Sequence, residues 1–93
     1  MGTFSQALTY SAWTAIADGS TDGSFGIQLI QGDVAVFIGD TEPNIDEDQF
    51  MILSISGTRE LSSTLGTDQL VYARATHDRD GTAEIRGFTA PAA

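Results

Sequence analysis

Apolar side chains recur at every second position along most of this chain, and that period restricts the fold more than any other feature. In residues 25 to 31, Phe25, Ile27 and Leu29 share one face; in residues 34 to 38, Val34, Val36 and Ile38 do the same. A two-residue period belongs to extended strands, not to helices. Between the two runs stands Gly32-Asp33, which predicts a two-residue hairpin turn of type II′, with Gly supplying the positive φ at the first central position. The opposite face also carries apolar groups, Ile30, Ala35 and Phe37. A sheet that is apolar on both sides is expected to be sandwiched or covered by a neighbouring subunit.

The same period marks further strands. Residues 11 to 17 carry Trp13, and residues 49 to 56 set Phe50 and Ile52 against Met51, Leu53 and Ile55. In residues 69 to 76, Leu70 and Tyr72 alternate with Val71, Ala73 and Ala75, and in residues 82 to 89, Ala83 and Ile85 alternate with Glu84, Arg86 and Phe88. Segments 17–24, 40–48, 65–68 and 77–81 are rich in Gly, Asp, Asn and Ser, which provide positive φ or side-chain turns. Residues 58 to 66 are ambiguous by themselves: Leu61 and Leu65 are spaced as on a helix, while the Thr and Ser residues suit an edge strand, and the segment is assigned as an edge strand. No helix of three turns and no internal repeat is visible. The expected fold is all-β, a small antiparallel β-sandwich or flattened barrel of six to eight short strands. Residues 1–10 form an amino-terminal arm or first strand, 11–89 a single β-sandwich domain, and 90–93 a frayed tail.

A chain of 93 residues buries only about 60–65 % of the surface it exposes when unfolded, so its own core is marginal and self-association would help it. It contains no cysteine, which removes disulfides, thiolate metal sites and a thiol nucleophile together. The first ten residues hold neither a basic stretch nor an apolar signal core, and no run approaches the ~20 apolar residues of a membrane span. Thirteen acidic residues against four arginines give a net charge of −9, which opposes binding to nucleic acid or to an anionic membrane. A charge-complementary partner is basic. Arginine is the sole cation type; it suits bidentate pairing with carboxylates at interfaces, but codon bias of the source genome is the plainer explanation.

Catalytic constellations are thin. His77, the single histidine, lies in the sequence His-Asp-Arg-Asp-Gly, where a metal or acid–base role competes with the plainer reading of a hairpin loop. The acidic segments 18–23 and 40–48 have oxygen ligands but not the glycine and glutamate spacing of an EF-hand loop. Serines have no base except His77, no glycine-rich phosphate loop opens a helix, and carboxylates such as Asp46 and Asp48 lie in a loop without an enclosing cleft. The chain is therefore expected not to be an enzyme, and to hold no metal or cofactor.

Binding through surface remains. Trp13, Phe25, Phe37, Phe50, Tyr72 and Phe88 are spread through the strands as core residues would be, with Trp13 as a buried anchor. Phe4, Leu8 and Tyr10 in the first ten residues need something to pack on, either their own sheet or a neighbour.

The Trp13 strand, the 27–39 double strand, an acidic loop containing Pro43, and the late pair over 69–88 together resemble small β-sandwich virion proteins of tailed bacteriophages. The resemblance extends from about residue 11 to residue 89 and consists of strands and turns, not of a diagnostic motif. It implies a capsid decoration, or cement, protein on the outside of the head, often trimeric, whose partner is the major capsid protein; a tail, head-fibre or adhesin-type module is the alternative. It carries no catalytic residues. For docking, the expectation is that an arm with Phe4, Leu8 and Tyr10 supplies affinity, while Asp46, Glu47 and Asp48 supply electrostatic steering.

Overall fold

The computed structural model describes residues 2–10, 12–44, 50–54, 57–76 and 82–91. The fold is all-β, with two antiparallel four-stranded sheets packed as a sandwich. The strands are β1 (Gly2–Thr9), β2 (Thr14–Asp18), β3 (Asp22–Gln31), β4 (Val34–Gly39), β5 (Met51–Leu53), β6 (Glu60–Thr64), β7 (Leu70–Ala75) and β8 (Thr82–Pro91). The first sheet has the order β1-β8-β3-β6 and the second β2-β7-β4-β5. The 58–66 segment holds an edge strand as expected, since among the described residues β6 pairs with β3 alone.

The expected hairpin between β3 and β4 does not form. β3 pairs with β8 and β6, β4 with β7 and β5, so the chain leaves one sheet at Gln31 and enters the other at Val34. Gly32 does adopt positive φ, at 80°, but it turns a corner between sheets. The Asp33 carbonyl at that corner accepts a hydrogen bond from the Thr76 amide, 3.1 Å, which ties it to the end of β7. Phe25, Ile27 and Leu29 therefore share one core with Val34 and Val36 from the opposite sheet, where a hairpin would have set the two runs side by side. Two alternating runs can bury their apolar faces against each other only in this way. Among the described strands, β4 and β5 are the one consecutive pair that lies side by side; every other connection crosses between sheets.

The core is mostly aliphatic. Leu8, Phe25, Ile27, Leu29, Val34, Val36, Leu53, Val71 and Ile85 fill it together with Ala17, Ala73, Ala75 and Ala83, and Phe4, Ile16, Ile38, Leu61 and Leu65 pack against its margin. The aromatics expected in it are largely elsewhere. Of the six spread through the strands only Phe25 is buried there. Trp13, Phe37, Phe50 and Tyr72 are half-buried, and Phe88 is exposed. Parity is the reason. Phe37 alternates with Val36 and Ile38, and Tyr72 with Val71 and Ala73, so once the β-branched and alanine positions face inward the aromatic positions must face out.

Of the two readings of the amino-terminal segment, arm or first strand, the structure shows the strand: β1 pairs with β8 over its full length from Gly2↔Thr89 to Thr9↔Thr82. One further expectation changes. The carboxyl-terminal tail does not begin at residue 90, because β8 continues to Pro91, whose partner is Asp22 on β3.

Candidate functional site

The outward face of the second sheet carries a layer built around Trp13. Thr14 pairs with Ala73, whose side chain is in the core, so Trp13 comes level with outward-facing Arg74; Ala35 pairs with both Arg74 and Ile52, and Phe37 with Tyr72. The Trp13 ring lies 6.1 Å from Phe37 at an interplanar angle of 58° and 6.0 Å from Phe50 at 61°. These are tilted and edge-to-face geometries in which the positive ring edge meets the negative face. The indole Nε1 donates a 2.9 Å hydrogen bond to the Asn44 carbonyl. Asn44 and Phe50 stand on either side of segment 45–49, so one tryptophan fastens the β4–β5 connection at two points. Pro43 is buried as well.

Arg74 is part of the same layer. Its guanidinium carbon stands 5.0 Å from the centroid of the Tyr10 ring and 4.9 Å from that of Trp13, and the residue is only 8 % exposed. Cation–π attraction to two rings offsets part of the cost of removing this charge from water. Its Nε is buried with no hydrogen-bond partner among the described residues. Arg74 thus links the end of β1 to the Trp13 layer through Tyr10.

Beside this layer, among the described residues, the sheet ends in β5, whose one strand partner is β4. Leu53 points into the core, while Met51 and Ile52 are 46 % and 49 % exposed. Apolar side chains on an open sheet edge form a ready contact surface for another chain. Asp40 and Glu42, both exposed, lie at the start of the β4–β5 connection and place negative charge near this edge.

The residues singled out from sequence are distributed unevenly. Leu8 is 1 % exposed, inside the protein's own core, and Phe4 packs against that core; neither is free to bind a partner, which corrects the expectation of a docking arm. Tyr10 is exposed and sits against Arg74. Asp46, Glu47 and Asp48 lie outside the described residues, as does His77. Trp13 is an anchor of the outward layer, not of the core. Sequence reasoning passed over Arg74, Met51 and Ile52 as contact residues. For Arg74 a signal existed: it occupies the same outward parity as Leu70 and Tyr72 in a strand otherwise free of charge.

Acidic segment 18–23 is occupied with its own turn. The Asp18 carboxylate accepts hydrogen bonds from the Ser20 amide at 2.9 Å and the Ser20 hydroxyl at 2.8 Å, and the Asp22 carboxylate accepts one from the Asp18 amide at 3.1 Å. The two bonds from Ser20, first from its backbone and then from its side chain, hold the Asp18 pKa below the ordinary aspartate value. Among the described residues no three of His, Cys, Asp and Glu converge on a site that could hold a metal ion. Comparison with protein-family models, with curated proteins and with solved structures found no match for this chain.

Proposed function

We propose that this protein is a structural virion component, a capsid decoration protein that binds the outside of a tailed-phage head and stabilises it through contacts along the open edge of its second sheet. The observation that carries this reading is the pair Met51 and Ile52, exposed on strand β5 of a chain with net charge −9. A small, highly charged β-sandwich that leaves a methionine and an isoleucine about half exposed on an edge strand suits a unit that uses this edge against a partner. The pattern resemblance to phage β-sandwich virion proteins supplies the identity of that partner, the major capsid protein.

The reading includes a homotrimer, favoured by the marginal core that 93 residues can build. Electrostatics assigns the shell surface a basic character, with Asp40 and Glu42 and the carboxylates of Asp46, Glu47 and Asp48 steering the encounter. The test is direct. Purified protein is mixed with purified shells that lack it, and stoichiometric binding and shell melting are measured. Saturable binding with a raised shell melting temperature is expected, together with loss of binding in Ile52→Glu at unchanged melting of the free protein. Absence of binding to shells, or full binding by Ile52→Glu, overturns the reading.

A further inference from the structure

The outward face of the first sheet is built differently from that of the second. Two cross-strand rows run over it. In the first, Thr3 on β1, Phe88 on β8, Gly26 on β3 and Ser62 on β6 are successive partners; in the second, Arg86, Gln28 and Glu60 follow one another across β8, β3 and β6. The absence of a side chain at Gly26 leaves a trough, and the Phe88 ring lies over it. A Cβ built on Gly26 would run into the ring, with the Cζ atom 2.9 Å and the Cδ1 atom 3.2 Å away. The ring thus occupies the space above Gly26, and the residue remains 38 % exposed. Around it opens a shallow depression of about 620 Å³, lined by Phe88, Gln28, Glu60, Ser62, Arg86 and Thr3 as well as by strand backbone.

We infer that this depression is a saccharide-binding site whose occupant is a short neutral oligosaccharide, with Phe88 as the stacking platform. An exposed aromatic ring set over a glycine offers π surface to solvent, and the partially positive C–H groups of a pyranose can pack on it. The groups beside it are a primary amide, a carboxylate, a guanidinium and hydroxyls, which donate and accept in the planar, paired geometries that match vicinal diols. Gln28 Nε2 donates to Glu60 Oε1 at 3.4 Å, and Arg86 Nε stands 3.7 Å from Glu84 Oε2, both long contacts on the solvent-facing surface.

Charge selects the class of occupant. The lining holds Glu60 and Arg86, with Glu84 3.7 Å from Arg86 and Arg59 beside Glu60, so the depression is close to balanced and it is the −9 of the whole chain that opposes a sulfated or uronic saccharide or a phosphate backbone. A protein partner would need a cluster of apolar anchors, and this face offers one ring among long polar side chains. A volume of about 620 Å³ lies within the range of small-molecule sites and is open enough for more than one sugar ring. The site is on the opposite sheet from Met51 and Ile52 and does not depend on shell binding.

The test uses the full chain labelled with ¹⁵N and titrated separately with neutral gluco-, galacto- and manno-trisaccharides and with sulfated and uronic counterparts. Expected are saturable shifts of the Gly26, Gly87 and Phe88 amides and of the Gln28 side-chain amide with at least one neutral trisaccharide at millimolar concentration, while the Trp13 indole resonance stays fixed. Phe88→Ala is expected to weaken this binding at least about tenfold, and Phe88→Tyr to keep it within about threefold. Gln28→Ala, an exposed polar change that leaves the ring in place, is expected to weaken binding several-fold without altering the melting temperature, so the inference stays testable even where Phe88→Ala unfolds. The inference is overturned if no neutral trisaccharide moves these resonances, if only the anionic sugars do, or if a folded Phe88→Ala or Gln28→Ala protein binds as well as the parent.

Discussion

Replacing Leu8 with alanine separates a flexible docking arm from a strand that completes the core. Leu8 is almost wholly buried, belongs to the cluster formed by both sheets, and pairs with Ala83 on the strand that bridges β1 and β3. Truncation at such a site removes the transfer energy of three carbon atoms and leaves a cavity, a total of about 2–5 kcal/mol for buried leucines. β1 is an edge strand and can relax partly into the space, so a value near 3 kcal/mol is expected. The whole stability of a domain this size is roughly 5–14 kcal/mol. A loss of about 3 kcal/mol lowers the melting temperature by roughly 12–24 °C and shifts the urea midpoint by about 1–3 M at an unchanged m-value. Circular dichroism at the strand band during thermal and urea unfolding reads both quantities. The control is Ser5→Ala on the same strand, whose exposed side chain points away from the core and whose loss should stay within about 0.5 kcal/mol. If Leu8→Ala melts within a few degrees of the parent, β1 does not contribute to the core and the reasoning fails. For the same reason, deleting residues 2–8 should unfold or aggregate the protein instead of leaving a folded domain without its arm.

Other perturbations test separate parts of the structure. Gly32→Ala places a Cβ at φ 80° and should cost about 1–2 kcal/mol at the corner between sheets, measured by urea unfolding; no cost would mean that the corner is not left-handed. Gly87→Ala puts a Cβ against the Gly26 carbonyl oxygen on β3, and should split β8 from β3, seen as faster amide exchange along both strands. Trp13→Phe retains a ring but loses the indole bond to Asn44; a loss of about 1 kcal/mol with increased proteolysis of the β4–β5 connection is expected, and intact protection would argue against the fastening role. Because the Asp18 pKa is depressed by Ser20, its contribution to stability is complete above the ordinary aspartate value of 3.8 and is lost as pH falls through the lower folded value. A carboxyl NMR titration should place Asp18 below 3.8 and Ser20→Ala should move it upward; an Asp18 midpoint unaffected by that change would contradict the assignment.

The alternation of side chains was enough to locate most strands and the turns between them, because period and turn chemistry act within a few residues. The positive φ at Gly32 and the edge character of β6 were legible for that reason. Two things were not. The first is which sheet each strand joins. A Gly-Asp step shows that the chain reverses, but β3 and β4 each find better partners far along the chain, in β8 and β7, and the reversal becomes a corner. The second is which face of a strand is the inner one. Where both faces are apolar, as in β4, alternation marks two sets without ranking them, and local sequence treats Phe37 and Val36 alike. Packing decides between them: the space between two close sheets admits aliphatic side chains, alanines and Phe25, and leaves the larger rings to form a separate layer around Trp13 and Arg74. The β5 edge and the Phe88 trough, where the two proposals are anchored, are set by strands brought together across the chain, and only the tertiary structure could place them.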